Sequence, residues 1–201
     1  MAYSDFTLKK VKESFGLSVQ EGASLFAAVT EMAVSSWLQA TLARNLPLAL
    51  AINTEKARSE LLIINLLLEA RAQLGNRVSL FSGIDFTVDR ERGLNGFCDY
   101  VLSNSDEQFY LDSPVVMVVE AKNENIISGL GQCVAEMHAA QLYNAQEKKV
   151  LSGIYGAVTT GNEWKFLKLD NMTVYIDQDA YYINQVAKII GILVSMVRAV
   201  D

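Results

Sequence analysis

The sequence predicts a single α/β domain in which helices cover both faces of a mixed central sheet, a three-layer sandwich. After about residue 76 the spacing of apolar residues changes from helical to extended, and it becomes helical again near the end. The stretch PVVMVVEAK, beginning at Pro114, is apolar on both faces, which is typical of a central strand covered on both sides. The 201 residues, half of them hydrophobic, suffice for one well-filled core, and no Pro-rich or Gly/Ser-rich linker divides them.

We expect residues 1–52 to form an N-terminal helical extension and residues 53–201 to form the core, together making one compact domain. Helices are predicted over residues 4–14 and 23–44. In the second helix, apolar residues recur along one stripe at helical spacing: Leu25, Ala28, Val29, Met32, Trp37 and Ala40. Neither helix carries a cluster of chemically useful side chains, so packing or dimer contacts are the expected role.

The core begins with a helix over residues 55–74, capped by Asn53-Thr54 and ended by Gly75-Asn76. Period-two patterns then predict strands over 78–81, 85–88, 96–103 and 114–121. A helix over 127–146 follows. Two further strands lie within 153–159 and 164–176, with turns near residues 161 and 170, and a last helix is predicted over 179–200.

Composition limits the classes of function. A net charge of −6 and a pI near 4.9 argue against a protein that coats nucleic acid, because such proteins carry a broad basic face. They do not exclude an enzyme that meets a phosphodiester at one metal-filled cleft. Two cysteines, Cys98 and Cys133, make neither a disulfide framework nor a zinc site, and we expect buried thiols. The start MAYSDFTLKK lacks the pattern of a signal peptide, and every apolar run is shorter than the roughly 20 residues of a membrane span. We therefore expect a cytoplasmic protein with no membrane partner.

Three ionisable residues stand out among the predicted strands. Side chains alternate along a strand, so Glu120 and Lys122 share one face about 7 Å apart, at the end of an otherwise apolar strand. If the strand that carries Asp99 is adjacent to the strand that carries Glu120, the two carboxylates can bind one cation together. Burying such groups is costly unless they pair or bind an ion, so the alternatives are a metal site and a structural ion pair.

An aspartate followed by Glu-X-Lys at the end of a hydrophobic strand resembles the motif of the PD-(D/E)XK nuclease superfamily. Here the motif consists of Asp99 in GLNGFCDYVLS and Glu120-Ala121-Lys122 in SPVVMVVEAKNEN. The resemblance covers about residues 55–201 and implies a restriction-endonuclease-like sandwich.

Two helix residues extend this resemblance. Glu60 in RSELLIINLLLEA looks like the carboxylate that reaches the site from the helix before the sheet. Gln132 in GLGQCVAEMHAAQ matches a polar residue on the helix after the motif. Some members have Tyr one turn after that Gln, whereas this chain has Glu136. We expect a solvated face for Glu136, and the alternative is a group that supports the site from behind Gln132. His138 lies away from Gln132 on the same helix, and a surface or core role is expected for it.

The resemblance implies metal-dependent hydrolysis of phosphodiester bonds, with DNA as the expected substrate. Mg²⁺, or Mn²⁺ in its place, is the expected cofactor because hard oxygen ligands suit these ions. The implied ligands are Glu60, Asp99, Glu120 and the backbone carbonyl of Ala121. The implied catalytic residues are Asp99, Glu120, Lys122 and Gln132. The alternative is a catalytically silent nuclease-like fold used as a binding or assembly module, with a possible homodimer formed through the N-terminal helices.

Overall fold

Across residues 1–200, which the computed structural model describes, eight strands form one mixed sheet in the order β1-β7-β6-β5-β4-β3-β2, with β8 beside β6. The strands are β1 Ser18–Ala23, β2 Ser79–Asp85, β3 Phe97–Ser103, β4 Val115–Ala121, β5 Ile154–Thr159, β6 Glu163–Asp170, β7 Thr173–Asp177 and β8 Tyr181–Tyr182. Pairing is parallel between β1 and β7 and between β4 and β5, and antiparallel in the other pairs.

The helices of this part of the chain are α1 Leu8–Phe15, α2 Ser36–Ile52, α3 Glu55–Arg58, α4 Ile64–Gln73, α5 Ile126–Gln146 and α6 Val186–Arg198. A π-helical turn, Ser59–Ile63, joins α3 to α4, so these segments continue one another as the sequence predicts for residues 55–74. Short 3₁₀ turns occur at Tyr3–Asp5 and Ile183–Gln185.

Helices cover both faces of the sheet. On one face, α2, α4 and α6 pack around buried residues that include Leu66, Trp164 and Ile190. On the other face, α1 and α5 pack around a second core that includes Phe15 and Val134. All seven residues of β4 are buried between these layers, which explains why its sequence is apolar on both faces. The predicted α/β class, with a mixed sheet flanked by helices, is confirmed.

The N-terminal region differs from the predicted pair of helices. Residues 18–23 form β1, an exposed edge strand without apolar alternation, which is why the pattern does not reveal it. The helix predicted over 23–44 is wrong, since α2 begins at Ser36 and continues to Ile52. Residues 24–35 pack against α6 instead, where Lys188 Nζ donates to the carbonyls of Ala27 and Val29. These tertiary contacts satisfy carbonyl groups that a helix would otherwise pair.

Two smaller boundaries also differ. The strand predicted over 78–81 lies in β2, which continues past Gly83, whose φ is +61°, because pairing with β3 occurs on both sides of this residue. The separate strand predicted over 85–88 is wrong, since β2 ends at Asp85 and residues 86–88 form no strand. The last helix begins at Val186 rather than near residue 179, since β8 and a 3₁₀ turn precede it. Among residues 1–200, the helices are too short or too polar to cross a membrane.

Candidate active site

The ends of β3 and β4 bring the predicted acidic residues together. These strands are antiparallel neighbours with Tyr100 opposite Val119 and Val101 opposite Val118. Continuing that register by one residue sets Asp99 beside Glu120. The backbone amide of Ala121 donates to Asp99 Oδ2 at 2.8 Å, which fixes one oxygen of this carboxyl group at the strand end. The adjacency that the sequence left conditional is therefore present.

Glu120 and Lys122 form the centre of the site. Lys122 Nζ lies 2.5 Å from Glu120 Oε1, as expected for neighbours on one strand face. The Glu120 side chain is only 2% exposed, and its second oxygen, Oε2, has no hydrogen-bond partner. A buried carboxylate oxygen without a donor is unfavourable unless a proton or a cation occupies that position.

Burial controls the protonation of these groups. It raises the pKa of Glu120 to about 8, with the negative charge of Asp99 adding to the rise and Lys122 opposing it. Burial also raises the pKa of Asp99, although the Ala121 amide and the Lys122 ammonium limit that rise. For Lys122, desolvation lowers the pKa, but the adjacent Glu120 outweighs it and the net shift is upward. The site thus has more carboxylate groups than the one ammonium group neutralises.

Helix α5 supplies two more side chains. Its N-terminus is capped by Asn125, and its first turns pass over the end of β4. Gln132 Oε1 lies 3.4 Å from Lys122 Nζ, and Gln132 Nε2 donates to Glu136 Oε1 at 3.1 Å. Glu136 is fully buried, so the expected solvated face is wrong. The N-terminal segment covers this helix closely: a Cβ on Gly131 would lie 2.3 Å from the carbonyl oxygen of Phe6.

Glu60 lies in the neighbourhood of the site but outside its hydrogen-bonded centre. A pocket of about 350 Å³ at the strand ends is lined by Glu55, Lys56, Ser59, Glu60, Ile64, Ser82, Asp99, Tyr100 and Ala121. The Glu60 carboxylate is 62% exposed and pairs with Lys56 Nζ at 2.9 Å. Within residues 1–200 no hydrogen bond or ion pair joins Glu60 to Asp99 or Glu120. Its placement agrees with a water-mediated role more than with direct contact.

Glu55, which the sequence did not single out, lies in the same pocket. Its negative charge contributes to the raised pKa values of both Glu120 and Lys122. Glu55 is the first residue of α3, and Thr54 caps this helix because its hydroxyl oxygen accepts a hydrogen bond from the Ala57 amide. The only feature of the sequence that could have indicated Glu55 was its position five residues before Glu60 in the same predicted helix.

The two cysteines and the histidine lie in the hydrophobic core. Cys98 and Cys133 are buried free thiols, as predicted. His138 is buried and its ring packs 4.7 Å from that of Phe15, so it belongs to the core.

Within residues 1–200, no three His, Cys, Asp or Glu side chains form a group that holds a metal ion. Asp99 and Glu120 nevertheless provide two carboxyl groups, and the unpartnered Glu120 Oε2 supplies a free ligand atom. Mg²⁺ is commonly held by one or two carboxylates and several waters, so the donor set fits this ion or Mn²⁺. A zinc site, with its nitrogen and sulfur ligands, does not fit.

The sequence matches no protein-family model and no curated protein. Function is therefore inferred from the chemistry of the site.

Proposed function

We propose that the chain is a Mg²⁺-dependent nuclease of the PD-(D/E)XK type, with a restriction-endonuclease-like fold, that hydrolyses phosphodiester bonds in DNA. The observation that supports this most strongly is the buried, unpartnered Oε2 of Glu120 beside Asp99 and Lys122. The raised pKa keeps a proton on Glu120 in the metal-free site, and a divalent cation would take the place of that proton.

A structural ion pair accounts for less of the geometry. Lys122 pairs with one oxygen of Glu120 and acts on Asp99 only through its charge, without an ion pair, which leaves the second oxygen of Glu120 without a partner. A buried pair that serves stability alone is favourable only when the remaining lone pairs are also satisfied. The buried Glu120 and the half-buried Asp99 against one ammonium do not meet that condition.

Each residue has a defined role in the proposed reaction. Asp99, Glu120 and the Ala121 carbonyl would hold the ion, and Glu60 would act on it from the rim of the pocket, directly or through water. When bound, Mg²⁺ polarises the scissile phosphate and lowers the pKa of a coordinated water. Lys122 orients the attacking water and stabilises the negative charge that develops on the phosphate oxygens. The water oxygen attacks phosphorus as the bond to the leaving oxygen breaks in line, without a covalent enzyme intermediate.

Cleavage assays with matched variants test this proposal. Supercoiled and linear DNA are incubated with Mn²⁺ or Mg²⁺ and the wild type, Glu120→Gln or Lys122→Met. Both variants should fold. Each should cleave DNA about 10²- to 10³-fold more slowly than the wild type, the usual cost of losing a group that stabilises transition-state charge.

The matched control is Lys168→Met. Lys168 pairs with Asp170 at 3.3 Å, two residues along a strand as in the site. On β6, Lys168 lies opposite Tyr155 of β5. Glu120 of β4 lies level with Val158 of β5, so Lys168 is about three residues farther along the sheet than the site. This variant therefore changes a more exposed ion pair of the same spacing at the opposite end of the sheet, and it should keep full activity. Absence of divalent-ion binding to the wild type by calorimetry contradicts the proposal.

A second candidate function, a binding or assembly module, is favoured by the surface of α2. Trp37, Leu48 and Ile52 lie along one helical stripe and are 53%, 51% and 48% exposed. Large apolar side chains exposed on one face of a helix favour an interaction site. Self-association of two chains through this stripe gives the expected homodimer. A mass by light scattering that stays monomeric at all concentrations counts against it.

A further inference from the structure

Glu136 is a buried polar group whose position is explained by neither the fold nor the proposed ligand set. It lies on α5 within the core formed by α1, α5 and the sheet, where it is fully buried. Its Oε1 accepts from Gln132 Nε2 at 3.1 Å, and its Oε2 has no hydrogen-bond partner. A methionine or leucine at this position would avoid the cost of burying a carboxyl group.

The contacts on the two sides of Gln132 define how its amide is oriented. The Lys122 ammonium is only a donor, so the group that faces it at 3.4 Å is the amide oxygen. The amide nitrogen then necessarily points the other way, toward Glu136, and needs an acceptor there. Glu136 provides that acceptor. Without it, only the long 3.4 Å contact with Lys122 distinguishes the two orientations of this half-buried amide, and the amide nitrogen loses its acceptor.

Burial also sets the charge of Glu136. It raises the pKa of this carboxyl well above its ordinary value, and the charge of Glu120 acts in the same direction. The protonated carboxyl still accepts a hydrogen bond through its carbonyl oxygen. It thus orients Gln132 without adding another negative charge near Glu120.

We propose that Glu136 is a positioning residue that orients the Gln132 amide and, through it, holds the Lys122 ammonium at the end of β4. The effect on catalysis rests on the proposed nuclease function, whereas the effect on the two side chains does not. Glu136 itself touches neither the substrate nor the ion.

Two variants separate acceptor chemistry from packing. Glu136→Gln keeps a carbonyl oxygen facing Gln132, and Glu136→Met has similar length but no oxygen acceptor. Metal-free wild type and both variants are compared by NMR of the Gln132 side-chain amide and the Lys122 ammonium, assigned with Gln132→Ala. We expect slow amide exchange and a visible ammonium signal in the wild type and in Glu136→Gln. In Glu136→Met, amide exchange accelerates about tenfold, the effect of losing one hydrogen bond, and the ammonium signal broadens.

Activity provides the second measurement. In Mn²⁺-dependent DNA cleavage, Glu136→Met lowers kcat about tenfold with little change in KM, and Glu136→Gln restores kcat. Unchanged Gln132 and Lys122 signals in folded Glu136→Met overturn the inference, as does unchanged kcat. If the NMR changes occur while the wild type cleaves no nucleic acid, the positioning role is supported and the proposed function fails.

Discussion

Glu120→Gln tests the electrostatics of the site through the pH dependence of folding. The side chain is 2% exposed and its folded-state pKa is about 8, against an ordinary value of 4.5. The folded state therefore holds this proton over a pH range in which the unfolded chain has lost it. At 1.36 kcal/mol per pKa unit, the difference amounts to about 5 kcal/mol of unfolding free energy.

The direction in which the unfolding free energy changes with pH follows from proton linkage. Between pH 4.5 and 8 the folded protein binds more protons at Glu120 than the unfolded chain, so wild-type stability falls as pH rises through this window. Gln does not titrate. The unfolding free energy of Glu120→Gln minus that of the wild type should therefore increase by about 4 kcal/mol from pH 4.5 to 8, because each state is half-titrated at one end of this window.

Urea unfolding at half-unit pH steps, without divalent ions, measures this difference. Glu21→Gln serves as a control on an exposed residue of β1 and should follow the wild type at each pH. A difference between Glu120→Gln and the wild type that stays constant from pH 4.5 to 8 refutes the assigned environment of Glu120. It would mean that Lys122 compensates the buried charge in full.

Three further predictions concern the ion, the helix packing and the exposed stripe. Because Glu120 must lose its proton to bind a cation, Mn²⁺ binding should release nearly one proton per ion at pH 7 and only a small fraction of one at pH 9. Calorimetry in buffers of different ionisation enthalpy measures this release, and a release that does not depend on pH contradicts the prediction. Gly131→Ala should destabilise the fold by about 3 kcal/mol in urea unfolding, since its Cβ would meet the backbone of the N-terminal segment at 2.3 Å. In Gly129→Ala the Cβ would lie 2.7 Å from Val158 Cγ1 and 3.0 Å from Lys122 Cε. Because it displaces Lys122, this variant should lower the cleavage rate by a larger factor than Gly131→Ala does; equal losses of cleavage in the two variants argue against this distinction. Trp37→Ser should weaken any self-association seen by light scattering without changing the melting temperature, because the side chain is 53% exposed.

The parts of the fold with strong apolar patterns were predictable from the sequence. The run before Glu120 is apolar on both faces, and β4 is indeed wholly buried. The alternation that put Glu120 and Lys122 on one face is matched by their ion pair. The helix after this strand was also predicted nearly to its ends, since the expected range was 127–146 and α5 spans Ile126–Gln146.

The remaining features depend on contacts between distant segments. Residues 24–35 carry a helical spacing, yet Lys188 from the last helix pairs their carbonyls and keeps them irregular. Glu136 has a charged side chain, which in sequence indicates solvent, but α1 and the residues before it cover this part of α5. Glu55 reaches the site only because α3 begins beside the ends of β3 and β4. Sequence patterns report the local period and do not specify these neighbours.

The most direct test of the metal site is anomalous diffraction from crystals of the wild type soaked in Mn²⁺. One peak is predicted between the carboxyl groups of Asp99 and Glu120, and it should be absent from Glu120→Gln crystals soaked in the same way. A saturating soak that leaves this position empty, or a peak held only by other residues, contradicts the proposed site.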